Sequence, residues 1–325
     1  VYVKLLDTHL LIEAINLEEY MNKLLESVIE NNRHWTQNGR LATYIPELCN
    51  TNTEALGVSI ITLDGEEYQG GDYETKFTIQ SISKIITLML ALLDNGRERV
   101  FAKVGVEPTA DAFNSIINLE TKSPQKPLNP MINAGAIATV SLIAGKNGEE
   151  CFNRILNFTR KITGNPHINI NSDVYKSEKA TGDRNRSLAY FMKSTGVIEQ
   201  EVEEVLDVYF KQCSIEATCR DIARIGAMLA NDGVLPWSGE RVIPRNIAII
   251  VKTIMVTCGL YDASGQFAVE VGIPAKSGVG GGILAAVPGR MGIGVIGPAL
   301  DLKGNSIGGI KVLAELSKEL DLNIF

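Results

Sequence analysis

Ser81-Ile82-Ser83-Lys84 is the stretch of this chain best suited to covalent chemistry. A serine and a lysine three residues apart share one face of a helix, so their side chains are neighbours. A serine hydroxyl attacks poorly until a base takes its proton. A lysine amine can be that base once burial disfavours its charged form. Ile82, Ile85 and Ile86 would supply the apolar surroundings, and a helix N-terminus favours negative charge developing on the serine oxygen. Ser83 is a rival serine, but no lysine stands three residues beyond it. The pattern is short, and the plain alternative is Ser81 as a helix cap with Lys84 solvated in the first turn.

A second stretch adds weight to the first. Lys276-Ser277-Gly278-Val279 falls on an expected strand and runs into Gly280-Gly281-Gly282. In enzymes built on Ser-x-x-Lys, a Lys-Ser/Thr-Gly strand lines the site opposite the nucleophile. Gly278 lets backbone approach a substrate closely. The N–H groups of Ser81 and Val279 could then form an oxyanion hole. The alternative is a strand ending in a flexible glycine turn. No Gly-Lys-Ser/Thr follows the glycines, which argues against a phosphate loop.

The elements that would position these residues lie at both ends of the chain. Asn16–Asn38 reads as an amphipathic helix stopped at Gly39. Ala55–Leu63, Asp64-Gly65 and Glu66–Gly70 read as a β-hairpin. A helix is expected over Ile79–Leu93, closed by Asn95-Gly96. From about Arg97 to Gly259 the pattern is mostly helical, with Asn133–Ile143, Glu149–Thr163, Asp183–Thr195, Ile198–Gln212 and Ala217–Asn231 the clearest candidates. Loops are expected around Pro124, Pro127 and Pro130 and over Asn165–Ser177. Short apolar runs at Gly272–Ser277, Gly282–Val287 and Met291–Ile296 return to strand, and Ile307–Leu320 closes the chain as a helix. The economical architecture is α/β (α+β): one antiparallel sheet built from both chain ends and covered by the terminal helices. Residues 1–325 form a single catalytic domain on this reading, with a helical subdomain inserted over residues 97–259. A cleft between the two parts would hold the site.

Composition narrows the function classes. The 325 residues are 45% apolar, an ordinary globular balance. A formal net charge of −7 with no basic run argues against nucleic acid or an anionic membrane as partner. Cys49, Cys151, Cys213, Cys219 and Cys258 contain no CxxC pair and read as reduced core thiols. His9, His34 and His167 are scattered and suggest neither a metal cluster nor a histidine triad. The apolar run Leu10–Ile12 is too short for a signal sequence, and no stretch reaches the length of a membrane span. Cytoplasmic location is the expectation.

Ser-x-x-Lys followed far along the chain by Lys-Ser-Gly points to the serine β-lactamase and penicillin-binding superfamily. A closer resemblance rests on longer stretches. They are Phe77-Thr-Ile-Gln80-Ser81-Ile-Ser-Lys84, Asn129-Pro-Met-Ile-Asn133-Ala-Gly-Ala136, Ser177-Glu178 with Gly182-Asp-Arg-Asn185, Tyr209-Phe-Lys-Gln-Cys213-Ser, Cys258-Gly-Leu-Tyr261-Asp and Ala275-Lys-Ser-Gly-Val279. In one register, from about Tyr44-Ile-Pro46 to Gly309, they resemble the glutaminase family, and the match is looser before Arg40. The resemblance implies a β-lactamase-like fold and hydrolysis of L-glutamine to L-glutamate and ammonia. It implies Ser81 as nucleophile and Lys84 as its base. Asn133, Glu178, Asn185, Tyr209, Tyr261 and Val279 match residues that hold glutamine, and Tyr44 and Gln80 match further site positions. A homo-oligomer, dimer or tetramer, is implied too, and neither a metal nor an organic cofactor is called for.

The residue chemistry agrees with that assignment. A free α-amino acid needs an anion for its ammonium, which Glu178 can supply, and donors for its carboxylate, which Asn133, Asn185 and tyrosine hydroxyls can supply. Taken singly, each has a plainer reading as a solvated charge, a helix cap or a core aromatic. The expected mechanism is covalent: Ser81 attacks the side-chain amide, Lys84 takes the proton with Tyr261 as a relay, and water hydrolyses the ester. Two other readings are a Ser-x-x-Lys hydrolase acting on β-lactams, peptides or esters, and a non-catalytic sensor of a small molecule.

Overall fold

The computed structural model describes residues 17–121 and 123–325. His9, the Leu10–Ile12 run and Asn16 lie outside them. The described residues begin with α1 (Leu17–Arg33) and two 3-10 turns, then β1 (Gly57–Thr62) and β2 (Glu67–Gly71). Next come β3 (Phe77–Thr78), a 3-10 turn over Gln80–Ile82, and α2 (Ser83–Lys103). The helical stretch holds α3 (Ile117–Thr121), α4 (Asn133–Val140), α5 (Gly148–Thr163), α6 (Ser172–Ala180), α7 (Asp183–Ser194) and α8 (Val202–Cys213). After β4 (Glu216–Ala217) follow α9 (Cys219–Ala230), α10 (Arg245–Cys258) and α11 (Ser264–Glu270). The chain closes with β5 (Ala275–Ser277), β6 (Gly282–Val287), β7 (Met291–Ile296) and α12 (Ile307–Glu319).

The sheet runs β2-β1-β7-β6-β5, with every neighbour antiparallel. Its hydrogen bonds join the hairpin near the start of the chain to the strands near its end, as the periodicity predicts. Side-chain alternation decides what each face meets. Val58 and Ile60 pack with Leu25 and Val28 of α1 and Val312 and Leu316 of α12. Ile61 turns the other way, onto Ala223 and Ala227 of α9. Helix α9 lies almost on the strand backbones: a Cβ at Gly292 would stand 2.1 Å from the Ala223 carbonyl oxygen, so only glycine permits this approach. Thus α9, inside residues 97–259, packs on the sheet itself as well as on the other helices.

α2 is the axis of the helical layer. Every residue from Ser83 to Leu92 is buried, so this part of the helix has no solvent face and Lys84 goes inside with it. Two expectations need correction. The first helix ends at Arg33 and tightens into a 3-10 turn over His34–Asn38. The stop expected at Asn95-Gly96 is present, since Gly96 breaks the helical dihedrals (φ 74°, ψ 166°), but a second helical segment follows it directly to Lys103. Asn165–Ser177 is not all loop, because Asn171 caps α6 by accepting from the N–H groups of Asp173 and Val174. Among the described residues no single helix is long and apolar enough to cross a membrane.

Candidate active site

The Ser81 turn is held in strained backbone. Gln80, immediately before it, has φ 48°, left-handed for a residue with a side chain. Such a conformation costs about 1 kcal/mol or more and persists only where its surroundings enforce it. Ser83 Oγ donates to the Gln80 carbonyl at 2.7 Å, and Gln212 Nε2 donates to Ser83 Oγ at 3.2 Å. The rival serine is therefore a fully buried clamp whose proton is committed to Gln80. From the other side, backbone of the Lys-Ser-Gly-Val stretch presses on the turn. A Cβ at Gly278 would stand 2.5 Å from the Ile79 carbonyl oxygen, and one at Gly280 would stand 2.3 Å from that of Thr78. This contact brings Val279 beside Ser81. The turn's own bonds run from Gly278 N to Gly282 O and from Gly281 N to Gly278 O, both 2.9 Å, and so do not use the Val279 N–H.

Lys84 is 0% exposed. Its Nζ donates to the Met131 carbonyl at 3.0 Å and to Asn133 Oδ1 at 2.8 Å. Burial pulls the amine down to about 8, against the opposing charges of Cys213 and Glu178. Asn133, at the first turn of α4, passes the contact on: its Nδ2 donates to Asn185 Oδ1 at 3.0 Å.

Tyr261 comes from a 3-10 turn over Tyr261–Ala263 and also has left-handed backbone, φ 54°. Its ring packs against Phe113, with centroids 4.9 Å apart. The Lys276 amine lies over that ring, 4.4 Å from the centroid. The Tyr261 hydroxyl is buried and makes no hydrogen bond of good geometry, although it faces the Ser81 and Ser277 hydroxyls. Burial pushes the phenol up to about 12, with those two hydroxyls opposing. Lys276 is also 0% exposed, and its Nζ donates to the carbonyls of Gly259 (2.9 Å) and Ser277 (2.6 Å). Burial, then the charge of Lys84, holds its amine well below the usual range.

The amino-acid-binding candidates form the facing wall. Glu178, on α6, is buried, and desolvation lifts its carboxyl to about 7, against the Gln80 amide and the Lys84 charge. Tyr209, on α8, is buried, and its phenol is raised first by desolvation and then by Cys213 and Glu178. Tyr44 is 53% exposed as a whole residue, yet desolvation followed by Tyr261 and Glu178 raises its phenol. Its ring flank faces solvent while its hydroxyl faces the site. α6 and α8 are tied outside the cleft by Asp207, which accepts from Tyr175, Lys179 and Lys211. Desolvation acts against the Asp207 charge, but those hydrogen bonds outweigh it and hold the carboxyl at about 2.

The ten candidate residues are thus brought together around Ser81 and Lys84. Sequence reasoning passed over Gln212 and Ser83 as the clamp on Gln80, Cys213 on the inner wall, and Asn305, which accepts from Ser277 Oγ at 2.7 Å. The Ser-Gly-Val turn was the available signal for a partner to Ser277, but no spacing identifies Asn305. Among the described residues, no three His, Cys, Asp or Glu side chains come together in a way that could hold a metal ion.

A mixed α/β fold with a five-stranded antiparallel sheet, and a serine–lysine pair buried in a polar cleft, define the class of molecule. The chain belongs to the glutaminase family: residues 39–325 match the family's sequence model, "Glutaminase". A glutaminase of Clostridium botulinum is 68% identical over 305 residues, which span 94% of this chain and 100% of that relative. Glutaminase 2 of Clostridium perfringens is 67% identical over 305 residues, with the same coverage of both chains. A Bacillus glutaminase crystallised in 4.3 M NaCl superposes with a TM-score of 0.87 at 42% identity, over 94% of this chain and 100% of that one. A Bacillus subtilis glutaminase, in a covalent complex with 5-oxo-L-norleucine formed by reaction with 6-diazo-5-oxo-L-norleucine, superposes with a TM-score of 0.86 at 41% identity, covering 94% of this chain and 99% of that one.

Proposed function

We propose that this glutaminase hydrolyses L-glutamine to L-glutamate and ammonia through an ester on Ser81. Ser81 Oγ attacks the side-chain amide carbon while its proton passes toward Lys84, with Tyr261 between. The tetrahedral oxyanion rests on the N–H groups of Ser81 and Val279. The carbon–nitrogen bond breaks, and the nitrogen leaves as ammonia after taking a proton. Water then adds to the ester and gives up a proton, the bond from the acyl carbon to Ser81 Oγ breaks to release glutamate, and that proton restores the serine hydroxyl. Glu178 pairs with the substrate ammonium, and Asn133, Asn185, Tyr209, Tyr44 and Gln80 hold its remaining polar groups. These steps use side chains, two backbone N–H groups and water.

The observation that carries this reading is Lys84. Its fully buried amine ends on two uncharged oxygens, and burial pulls it to about 8, so a share of it is neutral near physiological pH. A cation held only for structure would gain from a carboxylate partner. The covalent complex of the Bacillus subtilis relative supports a nucleophilic route. The β-lactamase-like character of the fold, one catalytic domain over 1–325 with residues 97–259 inserted, a cytoplasmic location and a homo-oligomer belong to the same proposal, and the family resemblance supports them.

The test is ammonia release from glutamine, run beside a chromogenic β-lactam, for wild type and Ser81→Ala. Release from glutamine that vanishes in the variant supports the reading. Turnover of the β-lactam instead points to another Ser-x-x-Lys hydrolase, and binding of glutamine without release points to a sensor.

A further inference from the structure

Tyr261 presents a problem of hydrogen-bond direction. Its hydroxyl has one proton and faces two other hydroxyls, those of Ser81 and Ser277. If Tyr261 donates to Ser81, it opposes removal of the serine proton. If it donates to Ser277, its oxygen is left to accept from Ser81. Geometry beyond Ser277 decides between them.

Ser277 is 0% exposed and has one hydroxyl proton. Two acceptors lie within reach: Asn305 Oδ1 at 2.7 Å and the Gly259 carbonyl at 3.5 Å. The nearer one takes the proton. Asn305 is itself 0% exposed, and its amide has only one sensible orientation, because Nδ2 faces the Leu260 carbonyl at 3.5 Å. Its backbone is fixed too: Asp301 Oδ1 accepts from the N–H groups of Lys303 (2.8 Å) and Asn305 (2.9 Å). The loop lies directly on the site. A Cβ at Gly304 would be 3.3 Å from Val279 Cγ1 and 3.6 Å from Tyr261 Cε2. With its proton given to Asn305, Ser277 has only lone pairs left to offer Tyr261.

We propose that Asn305 is a positioning residue of the reaction: through Ser277 it aims the Tyr261 proton away from Ser81, leaving the phenol oxygen to accept the Ser81 hydroxyl. This rests on the reading of Ser81 as nucleophile. Lys276 reinforces the arrangement by placing its amine 4.4 Å from the ring centroid, where any positive charge on it favours electron density on the phenol. The other ionisable groups that act on Tyr261 are Cys213 and Asp301, which raise its pKa, and Tyr261 in turn raises the phenol of Tyr44. The Tyr261 contacts are looser than good hydrogen bonds, as catalytic contacts commonly are before substrate tightens a site.

The test compares Ser277→Ala, Ser277→Thr and Asn305→Ala with wild type and Ser81→Ala, after circular dichroism has established folding. The readouts are kcat and KM for ammonia release and the pH titration of Tyr261 by isotope-labelled tyrosine NMR, assigned through Tyr261→Phe. Ser277→Ala and Asn305→Ala should lower kcat about tenfold to a hundredfold with KM changed about twofold or less. Ser277→Thr, which keeps the hydroxyl, should restore most of the rate. The Tyr261 titration should move to lower pH in Ser277→Ala, because a Ser277 hydroxyl that can only accept from the phenol favours its protonated form. If Asn305→Ala fails to fold, the alanine and threonine variants of Ser277 decide the matter alone. The proposal is overturned if Ser277→Ala turns over like wild type while Ser81→Ala is dead. It is overturned equally if activity falls with no shift in the Tyr261 titration and no rescue by threonine. Activity surviving in Ser81→Ala sinks the nucleophile reading instead.

Discussion

Lys84 and Lys276 enter the cleft from a helix and a strand, both wholly buried, and each ends on uncharged oxygens rather than on a carboxylate. Lys84 reaches the Met131 carbonyl and the Asn133 amide, and Lys276 reaches the carbonyls of Gly259 and Ser277. Burying a cation without a counter-ion is unfavourable, and the group answers by giving up its proton more easily. Burial lowers both amines, and the charge of Lys84 lowers Lys276 further. Stability alone would not keep such a pair, and such pairs concentrate where chemistry is done.

Two serines stand two places apart, and the proposed mechanism gives them separate tasks. Ser81→Ala should lower glutamine turnover by about a thousandfold or more while thermal unfolding shifts little. Ser83→Ala should keep activity within about tenfold of wild type, since its hydroxyl clamps Gln80 and does not attack. It should cost about 1–2 kcal/mol of stability, because Gln212 Nε2 and the Gln80 carbonyl lose their buried partner. Steady-state kinetics and thermal melts on both variants check this. A dead Ser83→Ala with a normal melt would contradict it.

Lys84 as a base predicts a pH profile. The amine becomes available as its proton leaves, so kcat should rise through about pH 8. Lys84→Arg should be nearly as inactive as Lys84→Ala, because a guanidinium keeps its proton throughout that range. Rates for the three proteins from neutral to alkaline pH are the measurement. Rescue by arginine would assign Lys84 a charge-stabilising role instead.

The sheet and the neighbouring placement of Ser81 and Lys84 were legible because each rests on a spacing that physics enforces. Alternation placed Val58, Ile60 and Ile61 on their faces, and the three-residue step from Ser81 to Lys84 survives although Ser81 sits in a 3-10 turn just before α2. α6 was less legible because only Val174 and Glu178 among its residues are buried, so it shows almost no apolar stripe. Its start was readable only in the Asn171 cap. Asn305 was hidden for a different reason. It follows Leu302 and Lys303 in what reads as a surface turn, and its importance comes from a contact with Ser277 that no local pattern encodes.

Lys84 should also weaken the fold in a pH-dependent way. Its amine titrates near 10.5 when unfolded and about 8 when folded. Above the higher value it is neutral in both states and costs nothing. As pH falls from 10.5 to 8 the penalty grows, and below 8 it is constant. That gap corresponds to about 3 kcal/mol at most. Lys84→Met removes the penalty but also removes two hydrogen bonds, so the absolute difference at one pH is small. The change with pH is the clean signal: the variant's stability relative to wild type should be greatest below pH 8 and decline toward 10.5. Denaturant unfolding of both proteins at several pH values measures it, and a pH-independent difference would refute a depressed Lys84.

Glu178 puts the recognition of a free amino acid at risk. Its buried carboxyl titrates at about 7, so it is charged above that pH and protonated below it. An incoming substrate ammonium needs the charged form. KM for glutamine should therefore rise as pH falls through about 7, an effect separable from the alkaline rise in kcat assigned to Lys84. Glutamine acylated on its α-nitrogen has lost the cation and gained bulk. It would leave the Glu178 carboxylate facing no partner in a buried wall, and truncating one member of such a pair typically costs about 2–5 kcal/mol. Wild type should thus prefer glutamine over the acylated compound by about thirtyfold or more in kcat/KM. Glu178→Gln should use glutamine far less well and show a much smaller gap between the two compounds. Its KM should also lose the dependence on pH near 7. The measurement is kcat/KM for both compounds on both proteins across that range. Equal use of the two by wild type would reduce Glu178 to a buried charge without a substrate role, and would favour a peptide- or ester-cleaving reaction over one specific for the free amino acid.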